Sequence, residues 1–309
     1  LLYRQAPENG EKMSKLKETI FRGSAVAIVT PFTDNAVNYK QFADLIEFQI
    51  KNGTDAIVVC GTTGEGSTLT DDEHREVIRF CVEKTAGRVP VIAGTGSNDT
   101  DYAVSLSKFA CEVGSDGLLL VTPYYNKATP KGLIKSFFAV ADVVDKPIIL
   151  YNVPTRTGCN ITTAVYRELA KHERIVAVKE ASGNISAIAE LAAECGDALD
   201  LYSGNDDQIV PVLSLGGIGV ISVLANIMPQ ETHEICALWA EGKIKESSAL
   251  QLKLLKLINR LFIEVNPIPV KTAVGLMGLC SDEVRLPLCE MDDANRALLV
   301  AAMKEQGLI

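Results

Sequence analysis

Eight apolar runs, each leading into a stretch patterned as a helix, constrain this chain more than any other feature. They are Ala25–Phe32, Ala56–Gly61, Val91–Gly96, Gly117–Pro123, Pro147–Pro154, Ile175–Ser182, Asp200–Asn205 and the shorter Gly219–Val223. Within Ile175–Val178 β-branched residues fall on both parities, the mark of a strand buried on both faces. Between the runs, Tyr39–Asn52, Asp71–Thr85, Thr100–Val113, Lys131–Val144 and Thr162–His172 carry apolar residues at three- and four-residue spacing. Thr70-Asp71-Asp72-Glu73 signals a capped helix start, Ser97 to Thr100 offers several cap oxygens, and Gly53, Gly87 and Gly114 signal stops. Strand–helix alternation at about 20–35 residue spacing predicts a closed (β/α)8 barrel of the TIM type. The competing open, doubly wound sheet usually carries a glycine-rich dinucleotide fingerprint after its first strand, and Ala25–Thr33 has none.

From about Asn226 the pattern changes. Residues 230–262 and 292–306 read as helices with no strand between them, which predicts a small carboxy-terminal α-helical domain. The expected division is an extension at 1–20, the barrel with its site at 21–240, and the helical domain at 241–309. Residues 1–12 are polar and patternless ahead of Met13 and are set aside as an expression remnant or disordered extension.

The net charge of −9 and the absence of any basic cluster argue against nucleic acid and anionic membrane as partners. No apolar run approaches the ~20 residues of a membrane span, and the amino terminus lacks the layout of a secretory signal. Eight cysteines are scattered without a C-x-x-C, a usage that suits a reducing cytosol. His74, His172 and His233 lie far apart, so no zinc site is expected.

In such a barrel the chemistry gathers at the carboxyl ends of the strands. Those ends are Gly61-Thr-Thr-Gly-Glu-Gly66, Thr122-Pro-Tyr-Tyr-Asn126, Tyr151-Asn-Val-Pro-Thr-Arg-Thr-Gly158, Lys179, Ser203-Gly-Asn205 and Ile221. An ammonium ending an apolar run is costly to desolvate unless it is paired or gives up its proton, and a neutral amine attacks carbonyls. The bland reading has Lys179 lie along apolar neighbours with its head in water or on Glu180. Taken singly, Gly61–Gly66 reads as a turn, Tyr124 and Tyr125 as packing aromatics, and Arg156 as a surface charge. Taken together, they supply a carbonyl trap, phenolic proton shuttles and a carboxylate holder. Such a set would let Lys179 form an imine with a 2-oxo acid, Tyr151 move protons, and Arg156 grip the carboxylate of a second substrate.

The G-T-T-G-E, T-P-Y-Y-N, Y-N-V-P-T-R-T-G and V-K-E-A-S-G segments, in that order, resemble the pyruvate-dependent N-acetylneuraminate lyase/dihydrodipicolinate synthase family of class I aldolases. The resemblance runs from about Phe21 to Val223. It implies that Lys179 forms the Schiff base with pyruvate and that Tyr151 donates and accepts the proton. By the same resemblance Thr62 and Tyr125 would complete a relay with Tyr151, the second tyrosine being lent by a neighbouring subunit. The resemblance further implies that Thr63 and the backbone around Ile221 hold the pyruvate carboxylate and that Gly204 lies beside the substrate. Arg156 after Y-N-V-P-T sets the chain apart from the sialic acid branch and implies aspartate 4-semialdehyde as second substrate. The implied assembly is a homo-oligomer, most often a dimer of dimers, in the cytoplasm. No metal or nucleotide cofactor is implied. Two other readings stay open: a sister lyase acting on sugar-derived 2-oxo acids, and a 2-oxo acid-binding regulator without turnover.

Lysine-inhibited family members resemble the chain at His74, Asn98 and Tyr124. They carry a histidine where this chain has Asp71 and an acid where it has Tyr102, so weak or absent lysine feedback is expected.

Overall fold

The computed structural model describes residues 17–309; the expected extension at 1–12 lies outside them. Eight parallel strands close into a barrel. They are β1 (Gly23–Ala27), β2 (Ala56–Val59), β3 (Val91–Gly94), β4 (Gly117–Val121), β5 (Ile148–Asn152), β6 (Ile175–Glu180), β7 (Asp200–Ser203) and β8 (Gly219–Ser222). Closure is made by β1, which pairs with β2 on one side and with β8 on the other.

The two strand faces bury different things. Ala25, Ala27, Ala56, Val58, Ile92, Leu119, Ile149, Ala177 and Ile221 form the lumen cluster, while alternate residues such as Val26, Ile57, Leu118, Leu150 and Val178 meet the surrounding helices. Small alanines leave room in the lumen for Tyr202, whose ring stacks on Phe21 at 4.3 Å and whose hydroxyl donates to the Phe21 carbonyl at 2.7 Å. Phe21 lies just ahead of β1, so this pair fills the lumen on the side away from the strand ends.

The wall helices include α1 (Tyr39–Lys51), α2 (Asp71–Thr85), α3 (Thr100–Glu112), α4 (Pro130–Ala141), the single turn α5 (Pro154–Thr157), α6 (Thr163–Leu169), α7 (Ile185–Cys195), α8 (Ile209–Ser214) and α9 (Pro229–Ala240). A reciprocal capping box between Thr70 and Glu73 starts α2; Gly53 and Gly114 take positive φ just past α1 and α3, and at the end of α2 Ala86 is already left-handed with Gly87 following. Between the end of α6 and the start of β6 the Lys17 ammonium donates to the carbonyls of Ala170, His172 and Ile175, the first of them an acceptor at the helix end.

Three local features differ from expectation. The run Ala25–Phe32 is a strand only to Ala27. Beyond it Phe32–Thr33 pairs antiparallel with Ala36–Val37, because Asp34 and Asn35 take positive φ and reverse the chain. The helical stretch 230–262 breaks at Gly242, whose φ is +80°, separating α9 from α10 (Ile244–Arg260). A further helix, α11 (Ile268–Leu276), precedes α12 (Asp293–Glu305) in a stretch where no helix was expected; Pro267 is its N-cap and Pro269 lies in its first turn, where a missing N–H costs little. Helix α9 packs on β1, α10 packs on α9 and α12, and α11 reaches the turn Leu224–Asn226 beyond β8. Among the described residues no helix is long and apolar enough to cross a membrane.

Candidate active site

All six residues of β6 are buried, and strand alternation decides what each faces. Lys179 shares its register with Tyr151 on β5 and Tyr202 on β7, both lumen residues, so it too points inward. Its Nζ stands 4.2 Å from the centre of the Tyr151 ring. Glu180, one residue on, faces outward and accepts from Asn152, from the Tyr166 hydroxyl at 3.0 Å and from the Ser182 N–H at 2.9 Å. Burial, and then the Glu180 charge, pushes the Tyr166 phenol well above its usual range, so it stays a donor to that carboxylate. The pairing of Lys179 with Glu180 allowed by the bland reading is therefore not made.

At the end of β7 a Cβ on Gly204 would stand 2.7 Å from the Ala181 Cβ and 3.2 Å from the Lys179 Cε. A side chain here would clash with Ala181 and crowd the lysine stem. Asp206, two residues further, is buried; one carboxylate oxygen accepts from the N–H groups of Val223 and Leu224, fixing the turn that follows β8. Burial raises its pKa, and the Lys179 charge acts in the opposite sense.

A cavity of about 300 Å³ opens at the mouth, lined by Thr62, Tyr124, Tyr151 and Arg156, with His74 and Tyr102 at one side. The loop Gly61–Gly66 is pressed onto the rim: a Cβ on Gly66 would meet the Cys60 carbonyl at 2.4 Å. Glu65 takes a φ of +54° and forms a 2.7 Å ion pair with Lys271 in which both side chains are buried. It also accepts from the Arg285 N–H at 3.0 Å. Burial pulls the Lys271 ammonium below its usual value while Glu65 pulls it back up. Arg156 is carried on α5, and the Thr122 hydroxyl ties this turn to the end of β4 by donating to the Thr157 hydroxyl at 3.0 Å.

The expected residues thus fall into three groups. Thr62, Tyr151 and Arg156 share the cavity, and Lys179 and Gly204 meet below the Tyr151 ring. Thr63 and Ile221 are buried, the first within the loop and the second in the lumen. Tyr125 does not line its own chain's cavity: it is 89% exposed at a φ of +72°. Sequence reasoning missed Asn266, whose Nδ2 donates to the Thr63 hydroxyl at 3.0 Å and whose carbonyl accepts from Arg156 at 3.3 Å. Its signal was Asn266-Pro-Ile-Pro269, a run that must turn sharply where a helix pattern stops. A larger cleft of about 560 Å³ lies between α6 and α7 on the outer wall, facing Glu180 rather than Lys179. Among the described residues no group of three His, Cys, Asp or Glu side chains is arranged to hold a metal ion.

A closed (β/α)8 barrel with a buried amine at the end of its sixth strand, set against a phenol under a hydroxyl-bearing loop, is the build of a strand-end-lysine barrel protein. Comparison with known proteins narrows this class. The chain belongs to the dihydrodipicolinate synthetase family, whose model matches residues 20–306. The 4-hydroxy-tetrahydrodipicolinate synthase of Clostridium perfringens (strain SM101 / Type A) is 57% identical over 290 residues, covering 94% of this chain and all of its own. The solved dihydrodipicolinate synthase of Aquifex aeolicus matches with a TM-score of 0.92 at 47% identity, covering 93% of this chain and 99% of its own. That of Acinetobacter baumannii, chloride inhibited and complexed with pyruvate, matches at 0.92 and 42% identity, covering 94% of this chain and all of its own.

Proposed function

We propose that the protein is a lyase that condenses pyruvate with L-aspartate 4-semialdehyde to 4-hydroxy-tetrahydrodipicolinate, in the diaminopimelate route to lysine. The observation that carries this reading is the Lys179 amine, buried in the lumen against the ring of Tyr151, which itself lines the mouth cavity together with Arg156. The Lys179 amine adds to the pyruvate ketone and water leaves, forming an imine. The protonated imine draws electrons, so a proton leaves the methyl carbon and an enamine results. Tyr151, on a cavity that Thr62 also lines, takes and returns protons. The enamine carbon then attacks the aldehyde, and the amino group of the second substrate displaces Lys179 to close the ring.

Thr63 and the backbone around Ile221 hold the pyruvate carboxylate, Gly204 gives the bound substrate room, and Arg156 holds the carboxylate of the aldehyde. No metal or nucleotide enters this scheme. Tyr125 completes the relay in a neighbouring copy, within a dimer of dimers in the cytoplasm. A bulky residue at positive φ costs about 1–3 kcal/mol, and an exposed tyrosine held there is accounted for if it serves another subunit's cavity.

Borohydride reduction in the presence of pyruvate, followed by intact-mass measurement, tests the reading. A pyruvate-sized adduct that disappears in Lys179→Ala is expected; an unmodified chain would refute it.

A further inference from the structure

The segment after α10 returns to the barrel mouth at Asn266, 5% exposed, which touches two groups that the proposed reaction assigns to two different substrates. Its Nδ2 donates to the Thr63 hydroxyl at 3.0 Å, and its backbone carbonyl accepts from the Arg156 guanidinium at 3.3 Å. Its other side-chain atom, Oδ1, is buried without a partner among the described residues. A hydroxyl carries one proton and can also accept. Because Thr63 accepts from Asn266, its own proton remains free for a second acceptor.

The loop itself is held by other contacts. Glu65 is anchored to Lys271 and to the Arg285 N–H, and the Gly64 carbonyl accepts from the Thr30 hydroxyl at 2.7 Å. Asn266 is therefore not needed to keep the loop in place; what it sets is the direction of one O–H bond. We propose that Asn266 is a positioning residue that commits the Thr63 hydroxyl to donating to the pyruvate carboxylate. This rests on the reading of Thr63 as a carboxylate-holding residue.

Titration of the borohydride-trapped adduct with pyruvate, read by intact mass, separates this role from a structural one. Asn266→Asp keeps the shape but replaces the donor with an anion that would itself attract the Thr63 proton. The pyruvate concentration for half-maximal trapping should rise about tenfold or more, a charge-assisted contact being lost. Asn266→Ala, which adds no charge, should shift it in the same direction and decides the matter if the aspartate variant does not fold. KM for pyruvate should follow, while kcat at saturation changes less. In a Thr63→Val background both shifts should fall below about twofold, since the partner is already gone. Half-saturation within about twofold of the unaltered chain, or shifts undiminished in Thr63→Val, would overturn the proposal. Absence of adduct on the unaltered chain would instead refute the imine on Lys179.

Discussion

Lys179 and Tyr151 are paired in register on neighbouring strands, with the amine 4.2 Å from the centre of the phenol ring. The ring is thus both a wall for the lysine and the carrier of a hydroxyl. Tyr151→Phe keeps the wall and removes only the hydroxyl. Trapping of pyruvate on Lys179 should persist, while turnover should fall by about 100-fold or more, the usual contribution of a positioned proton donor. Parallel loss of trapping and turnover would show that Tyr151 acts before the imine forms.

Arg156 reaches the cavity from an exposed turn, with its guanidinium held by the Asn266 carbonyl. Arg156→Ala should lower kcat/KM for aspartate semialdehyde by roughly 10- to 100-fold, the worth of a charge-assisted hydrogen bond. Half-saturation of trapping by pyruvate should stay unchanged. A shift in the pyruvate titration instead would reassign the arginine to the first substrate.

Asp71 is held by Arg75 at 3.0 Å and hydrogen-bonds to Tyr102, so the carboxylate at this side of the cavity is already engaged. Without an acid at position 102, an effector ammonium loses a contact worth roughly 1.5–3 kcal/mol. Steady-state assays with sub-millimolar lysine should therefore show little inhibition; near-complete inhibition would contradict this.

The buried pair of Lys271 and Glu65 tests differently, through stability. Lys271→Met strands a carboxylate beneath the loop and should cost about 3–5 kcal/mol in denaturant unfolding, whereas adding Glu65→Leu should recover much of it. A double variant no more stable than the single one would mean that the pair does more than cancel its own desolvation.

Glu73 lies between the chelating nitrogens of Arg285, both contacts at 2.7 Å, and that pairing brings its pKa from 4.5 down to about 2. The folded value lies below the unfolded one. Its stabilisation is therefore complete above about pH 4.5 and drains away as pH falls toward 2. Thermal melting of Glu73→Gln should show a lower midpoint at neutral pH and a shallower decline across that window.

The barrel was legible because strands covered on both faces need continuous apolar runs, and Ile175–Val178 has no polar alternation to confuse the reading. Lys179 stood out because an amine ending such a run is chemically expensive. What stayed illegible depended on distance or on backbone conformation. Glu65 and Lys271 are 206 positions apart, and no periodicity links them. The outward turn of Tyr125 rather than Tyr124 follows from one positive φ. Asn266 lay between the two stretches read as carboxy-terminal helices, where no element was assigned, so its reach to Thr63 had no local trace.

The staple between Glu65 and Lys271 also orders events on the ribosome. Every barrel strand is translated before Lys271 emerges, yet until then the loop bearing Thr62 and Thr63 lacks the cation that neutralises its buried acid. The nascent chain thus holds all eight strands before it holds the partner of Glu65.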